Sequence, residues 1–205
     1  RSTEAARLEK IKILQSTLEK IEKNYGQPQT VRATVLYGDV NYTGVYEGGV
    51  YTVLGYPLYD LLLFTGDATL ILPDGDGLVV AAYKGTTDSG YGLFVEGNLT
   101  IYGQEKGNGG LIVGGCDVNG NVNIYGGEVS LYNLTLNADS AINLSWTGME
   151  NYIEIYPTQG NVHLLKDFMS YSHDEEWQIV TTVLHAGDPV GIADLCNHYL
   201  YPYAE

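Results

Sequence analysis

Along this chain the spacing of apolar residues changes character twice. Over residues 2–24 the apolar positions Ile11, Leu14, Leu18, Ile21 and Tyr25 alternate between spacings of three and four. That period predicts an amphipathic helix. Ser2 or Thr3 can cap it, Glu4 suits its positive end, Glu19 and Lys23 form an i,i+4 pair, and Gly26-Gln-Pro28 ends it. The seam is about two heptads long, so the helix either packs on the end of the following domain or joins copies of the chain.

From Val31 to about Leu165 the pattern becomes one of short β-rich runs separated by Gly, Asn and Asp, with strand candidates from Val31–Tyr37 to Ile153–Tyr156. Within it a phrase returns after 23 residues: Gly97-Asn-Leu-Thr-Ile-Tyr-Gly103 is answered by Gly120-Asn-Val-Asn-Ile-Tyr-Gly126. Fixed periods in this range mark solenoids, in which each coil buries its apolar side against the next. Gly66-Asp-Ala-Thr-Leu-Ile-Leu72 and Gly160-Asn-Val-His-Leu-Leu-Lys166 fit the same template at uneven intervals of 31, 23 and 40. Period two sends Ala68/Leu70, Leu99/Ile101, Val122/Ile124 and Val162/Leu164 inward. Asp67, Asn98, Asn121 and Asn161 should line one corner, and Tyr102 should stack on Tyr125 outside.

After His163 the pattern changes again. Ser170 to Glu176 reads as an acidic turn, Trp177 to His185 as a strand, and Asp188-Pro189 as the start of a helix reaching about Leu200. The predicted organisation is an N-terminal helix over residues 1–30, a β-helix over 31–168, and a C-terminal strand and helix cap over 169–205.

The segments Thr65-Gly-Asp-Ala-Thr-Leu-Ile-Leu-Pro-Asp-Gly75, Leu99-Thr-Ile-Tyr-Gly-Gln104, Gly107-Asn-Gly-Gly-Leu-Ile-Val113 and Asn123-Ile-Tyr-Gly-Gly127 resemble the β-helix repeats of large secreted or cell-wall proteins of gut bacteria. The resemblance covers about residues 64–130. It implies an all-β, right-handed parallel β-helix on an extracellular protein, of a kind described as carbohydrate-binding-like. Its motifs are structural and carry over no catalytic residue.

Composition narrows the function. The formal net charge is −15, yet residues 1–32 hold seven of the ten Lys and Arg against four Glu, so the head is +3 and the remainder −18. Such a surface repels phosphate backbones and anionic lipid, which excludes nucleic acid and leaves neutral glycans, cations and basic proteins. No apolar run approaches the ~18 residues of a membrane span. The chain opens at Arg1 rather than Met, which fits export with loss of a leader, or trimming. Eighteen Tyr against three Phe and two Trp suit either exposed strands or a sugar-stacking surface.

Catalytic signals are thin. A uronate lyase needs a strong base, and no Arg follows Arg32; Asp60, Asp67, Asp74, Asp76, Asp88, Glu96, Asp117 and Glu128 form no recognisable hydrolase pair. Pro73-Asp-Gly-Asp-Gly77 lacks the third ligand and distal Glu of a calcium loop, and His173 to Glu176 reads as a charged loop. Cys116 and Cys196 cannot form a paired-thiolate metal site, and their pairing is not decided by spacing. The expectation is an extracellular module without cofactor, metal or catalytic residue, acting as scaffold or as a glycan- or protein-binding surface through Tyr102, Tyr125, Asn98 and Asn121. A glycan-degrading enzyme and a filament or fibre subunit joined through the N-terminal helix are the alternatives.

Overall fold

The computed structural model describes residues 33–36, 42–82 and 90–205. With strands numbered in chain order, seven stack in parallel as one wall: β1 (Ala33–Leu36), β3 (Gly49–Val53), β5 (Ala68–Ile71), β8 (Leu99–Tyr102), β11 (Val122–Tyr125), β13 (Ala141–Ser145) and β15 (Asn161–Leu164). A second sheet supplies two further walls, because its long strands turn a corner. β4 (Leu58–Phe64) pairs through Leu58 and Tyr59 with β6 (Gly77–Val80) and through Leu61 to Phe64 with β7 (Gly92–Val95). β12 (Val129–Thr135) repeats this, with Val129 to Leu131 on β9 (Gly110–Val113) and Leu134 and Thr135 on β10 (Cys116–Val118). β2 (Tyr42–Tyr46) adjoins β4, and β14 (Ile153–Pro157) adjoins β12. Each circuit visits three walls, and seven stacked strands make a β-solenoid of about six turns.

The core follows the predicted alternation. Ala68, Leu70, Leu99, Ile101, Val122, Ile124, Val162 and Leu164 are all buried in one continuous apolar cluster. Each such aliphatic side chain withdrawn from water contributes about 1.5–3 kcal/mol before conformational entropy is counted. The 40-residue interval resolves into two coils, since Val122 lies opposite Ile142 and Ile142 opposite Val162. Gly103 is required by proximity, since a Cβ there would overlap the Gly126 carbonyl of the next coil, whereas Gly126 is required by its positive φ of 79°.

The corner ladder forms, but it is shorter than expected. Asn98 N–H donates to Asp67 Oδ1 at 2.8 Å, Asn121 N–H to Asn98 Oδ1 at 2.8 Å, and Ala141 N–H to Asn121 Oδ1 at 2.9 Å. Ala141 has no side-chain acceptor to continue it. Asn161, which stands over Ala141, donates instead to the Ser140 carbonyl at 2.8 Å.

The C-terminal helical cap is overturned. Winding stops after β15, and the end is closed by β16 (Phe168–His173), β17 (Ile179–Leu184) and β18 (Tyr199–Pro202). The last strand, β18, inserts antiparallel between β14 and β16, with Leu200 opposite both Ile153 and Ser170. β17 lies outermost, antiparallel to β16. Among the described residues there is no α-helix; the Asp188-Pro189 signal leads only to a 3-10 turn at Ile192–Asp194. The reason is tertiary. The open edge of β14 needs donors and acceptors that a helix cannot offer, and an extended β18 supplies them while burying Leu200. The acidic turn is likewise shorter than predicted, the strand running on to His173. The expected N-terminal helix, over residues 1–30, lies outside the described residues.

Candidate functional site

Alternation along β14 turns Ile153 and Ile155 into the core and leaves Tyr152, Glu154 and Tyr156 on the other side. On β18 the buried residue is Leu200, so Tyr199 and Tyr201 share the outer face; on β16 burial of Phe168 and Ser170 puts Met169 and Tyr171 there too. Tyrosines from three adjacent strands therefore meet on one flank. Tyr132 joins them from the coil below, its ring stacked on Tyr156 at 5.4 Å and 17°.

Glu154 is the hub of this cluster. Its side chain is buried, the Tyr132 hydroxyl donates to Oε1 at 2.6 Å, and the Tyr156 hydroxyl donates to Oε2 at 2.7 Å. Tyr199 lies close enough to feel its charge. A buried carboxylate is tolerated only when its oxygens are satisfied, and here phenols satisfy them. The phenols respond in turn. Burial and then the bond to Glu154 push Tyr132 up to about 12, and the same causes raise Tyr156. Burial and then the Glu128 charge push Tyr152 up to about 12. The Glu154 charge raises Tyr199, and burial raises Tyr201. All five stay protonated hydroxyl donors at neutral pH.

Beyond the hub the rings open into a groove of about 380 Å³ lined by Tyr171, Ser172, His173, Ile179, Tyr199 and Tyr201. Here the rings meet edge to face: Tyr171 on Tyr201 at 4.9 Å and 74°, Tyr152 on Tyr199 at 5.4 Å and 75°. Tyr171 and Tyr199 are each 38% exposed. Ring faces, hydroxyls and one imidazole thus converge on a concave surface.

The residues singled out in the sequence lie on a different wall. Tyr102 and Tyr125 stack at 4.9 Å and 16° at one end of β8 and β11, with Asn98 and Asn121 in the corner ladder just before the same strands. Between them the Asn123 amide donates to Thr100 Oγ1 at 3.3 Å and the Asn143 amide to Asn123 Oδ1 at 2.8 Å. These four residues share one wall and contact their equivalents in neighbouring coils. The alternations Tyr152-Ile-Glu-Ile-Tyr156 and Tyr199-Leu-Tyr201 carried the signal for the larger cluster, but reading residues 188–200 as a helix separated the second from any sheet.

Other reactive groups are occupied. Asp74 Oδ1 accepts from Glu105 N–H at 2.9 Å and Lys106 N–H at 3.0 Å, and Asp76 Oδ1 from Gly55 N–H at 3.1 Å, so the Pro73–Gly77 carboxylates anchor neighbouring loops. Among the described residues no group of three or more His, Cys, Asp or Glu is placed to hold a metal ion. Ser170 Oγ lies 2.6 Å from His198 Nδ1, but Ser170 is buried beside Phe168, and Asp194 accepts instead from Gly191 N–H at 2.7 Å. The pair braces β16 against the segment leading into β18. Cys116 and Cys196 are free thiols, and burial raises both above their ordinary value. No family model matches the chain, and neither the curated proteins nor the solved structures searched contain a match.

Proposed function

We propose that this chain is a non-catalytic binding module for neutral saccharides, with the tyrosine groove of the C-terminal flank as its seat. The observation that carries this reading is the groove itself: the partly exposed rings of Tyr171 and Tyr199 line it beside Ser172, His173 and Tyr201. A pyranose offers an apolar face for stacking and hydroxyls for the surrounding polar groups. The acidic surroundings select against anionic sugars, since Glu128 and Glu154 act on Tyr152 and Asp174, Glu175 and Glu176 follow His173 in the chain. An extracellular setting is part of the same reading and rests on the resemblance of residues 64–130 to repeats of secreted proteins.

The hydrolase alternative has a weak centre in this groove. A general acid must release its proton to the leaving group, whereas both oxygens of Glu154 are engaged by tyrosines. The test is a broad glycan array with the whole chain, followed by titration of any hit against variants. Tyr171→Ala and Tyr199→Ala should each weaken binding; a lost ring contact of about 0.5–1.5 kcal/mol is roughly two- to twelvefold in Kd. Tyr102→Ala with Tyr125→Ala should leave Kd unchanged. An array without hits sinks the proposal, loss on the Tyr102/Tyr125 variant moves the site to the other wall, and product release from a polysaccharide restores the enzyme.

A further inference from the structure

We infer that the outer edge of β17 is a two-fold interface, on which a second copy of this chain docks strand against strand. Among the described residues β17 pairs with β16 alone. Its six residues, Ile-Val-Thr-Thr-Val-Leu, include no charge and no proline. Both faces are open over its first four residues, with Ile179 68% and Val180 42% exposed, while Leu184 packs on the core. Monomeric proteins protect such edges with charges, prolines or bulges, and this one has none.

The backbone fixes which groups are free. Asp174 N–H donates to the Gln178 carbonyl at 3.0 Å. In an antiparallel ladder the bonding alternates, so Val180, Thr182 and Leu184 bond inward to β16. Ile179, Thr181 and Val183 direct N–H and C=O at the free edge.

Symmetry then selects the register. A two-fold axis perpendicular to an antiparallel sheet brings together residues of the same face, so odd-numbered positions of β17 meet odd-numbered positions. Centred on Thr181, the pairing sets Thr181 opposite its own copy and Ile179 opposite Val183 in both directions. All three residues with edge-facing backbone are used, and every pair is β-branched with β-branched. The same face carries Tyr171 beside Thr181 and His173 beside Ile179, so the sheet bearing the groove continues into the partner.

Charge argues for this particular contact. Two chains of −15 repel each other over most of their surfaces, while β17 is a neutral strip with the acidic Asp174, Glu175 and Glu176 beyond its paired length. Added salt screens the repulsion and leaves backbone bonds intact, so association should strengthen with ionic strength.

Sedimentation of the whole chain across micromolar to millimolar concentrations should show a monomer–dimer equilibrium shifting toward dimer with salt. Thr181→Pro should abolish it without changing the circular dichroism, because the lost N–H faces the free edge. Thr181→Lys and Thr181→Glu should each be monomeric alone and form a mixed dimer when combined, since at the axis residue 181 faces itself. A wild-type chain that stays monomeric overturns the proposal and leaves the edge for another protein's strand. A dimer that survives Thr181→Pro, or charge variants that do not rescue each other, overturns it equally.

Discussion

The wound body and the antiparallel end treat the same residue type differently. In the body, in-register parallel pairing sets like on like, and Tyr102 lies nearly flat on Tyr125 at 16°. The strand spacing of about 4.8 Å matches ring stacking, so coil geometry and aromatic contact satisfy each other. At the C-terminal end neighbouring strands run in opposite directions and carry unrelated sequence, and Tyr171 meets Tyr201 edge-on at 74°. A stacked pair covers one face of each ring, whereas an edge-on pair covers a face of one ring only. A repeat that builds the solenoid thereby hides its aromatic surface, and the strands that close it expose theirs.

The largest effect should come from the joint between the regions. Phe168 is fully buried, and Phe168→Ala should lower stability by about 3–5 kcal/mol in urea unfolding. Ile101→Ala within the body should cost about 2–5 kcal/mol, and both variants should unfold in one transition, because Ile101, Phe168, Leu195 and Leu200 belong to one apolar cluster. Two separate transitions for Phe168→Ala would make the end an independent unit.

Alkaline pH gives the next effect and bears on the tyrosine hub. Tyr132 and Tyr152 are pushed from 10.0 up to about 12, so the fold favours their neutral form. Their contribution is complete below about pH 10 and is lost as pH rises through about 12. Melting temperature should hold to about pH 10 and then fall, with part of the tyrosinate absorbance appearing only toward pH 12. Tyrosinate absorbance complete by pH 11 would contradict the hub as described.

The smallest effect belongs to the corner ladder. Asn121→Ala removes the acceptor for Ala141 N–H, and because Asn121 is exposed and water can replace it, the expected loss is about 0.5–1.5 kcal/mol. A loss as large as that of Ile101→Ala would show that the ladder, and not the core, holds the coils in register.

The repeat phrase made the body legible. Gly97 to Gly103 and Gly120 to Gly126 specify strand, interior face and corner together, so Leu99, Ile101, Val122 and Ile124 could be sent inward from sequence. Where the phrase is worn, as in Ser140-Ala141-Ile142-Asn143-Leu144, spacing alone does not tell a bulging loop from a whole coil, and the 40-residue interval holds a coil. The C-terminal end has no repeat to read. Its fold depends on the unpaired edge of β14, a demand that arises only once the coils exist, and local signals such as Asp188-Pro189 are overridden by it. The groove inherits that dependence, because Tyr152, Tyr171 and Tyr199 come together only through β18.

The equivalence of successive coils has a further consequence for size. Excising residues 99–121 would join Asn98 directly to Val122, with Val122 taking the place that Leu99 holds above Ala68 and the ladder carboxamide retained. The body can change length by one coil at the cost of the Gln104 carbonyl to which the buried Asn151 amide donates. It behaves as a spacer graduated in steps of about 4.8 Å, and the reach of the groove above the first coil is set by how many steps the gene encodes.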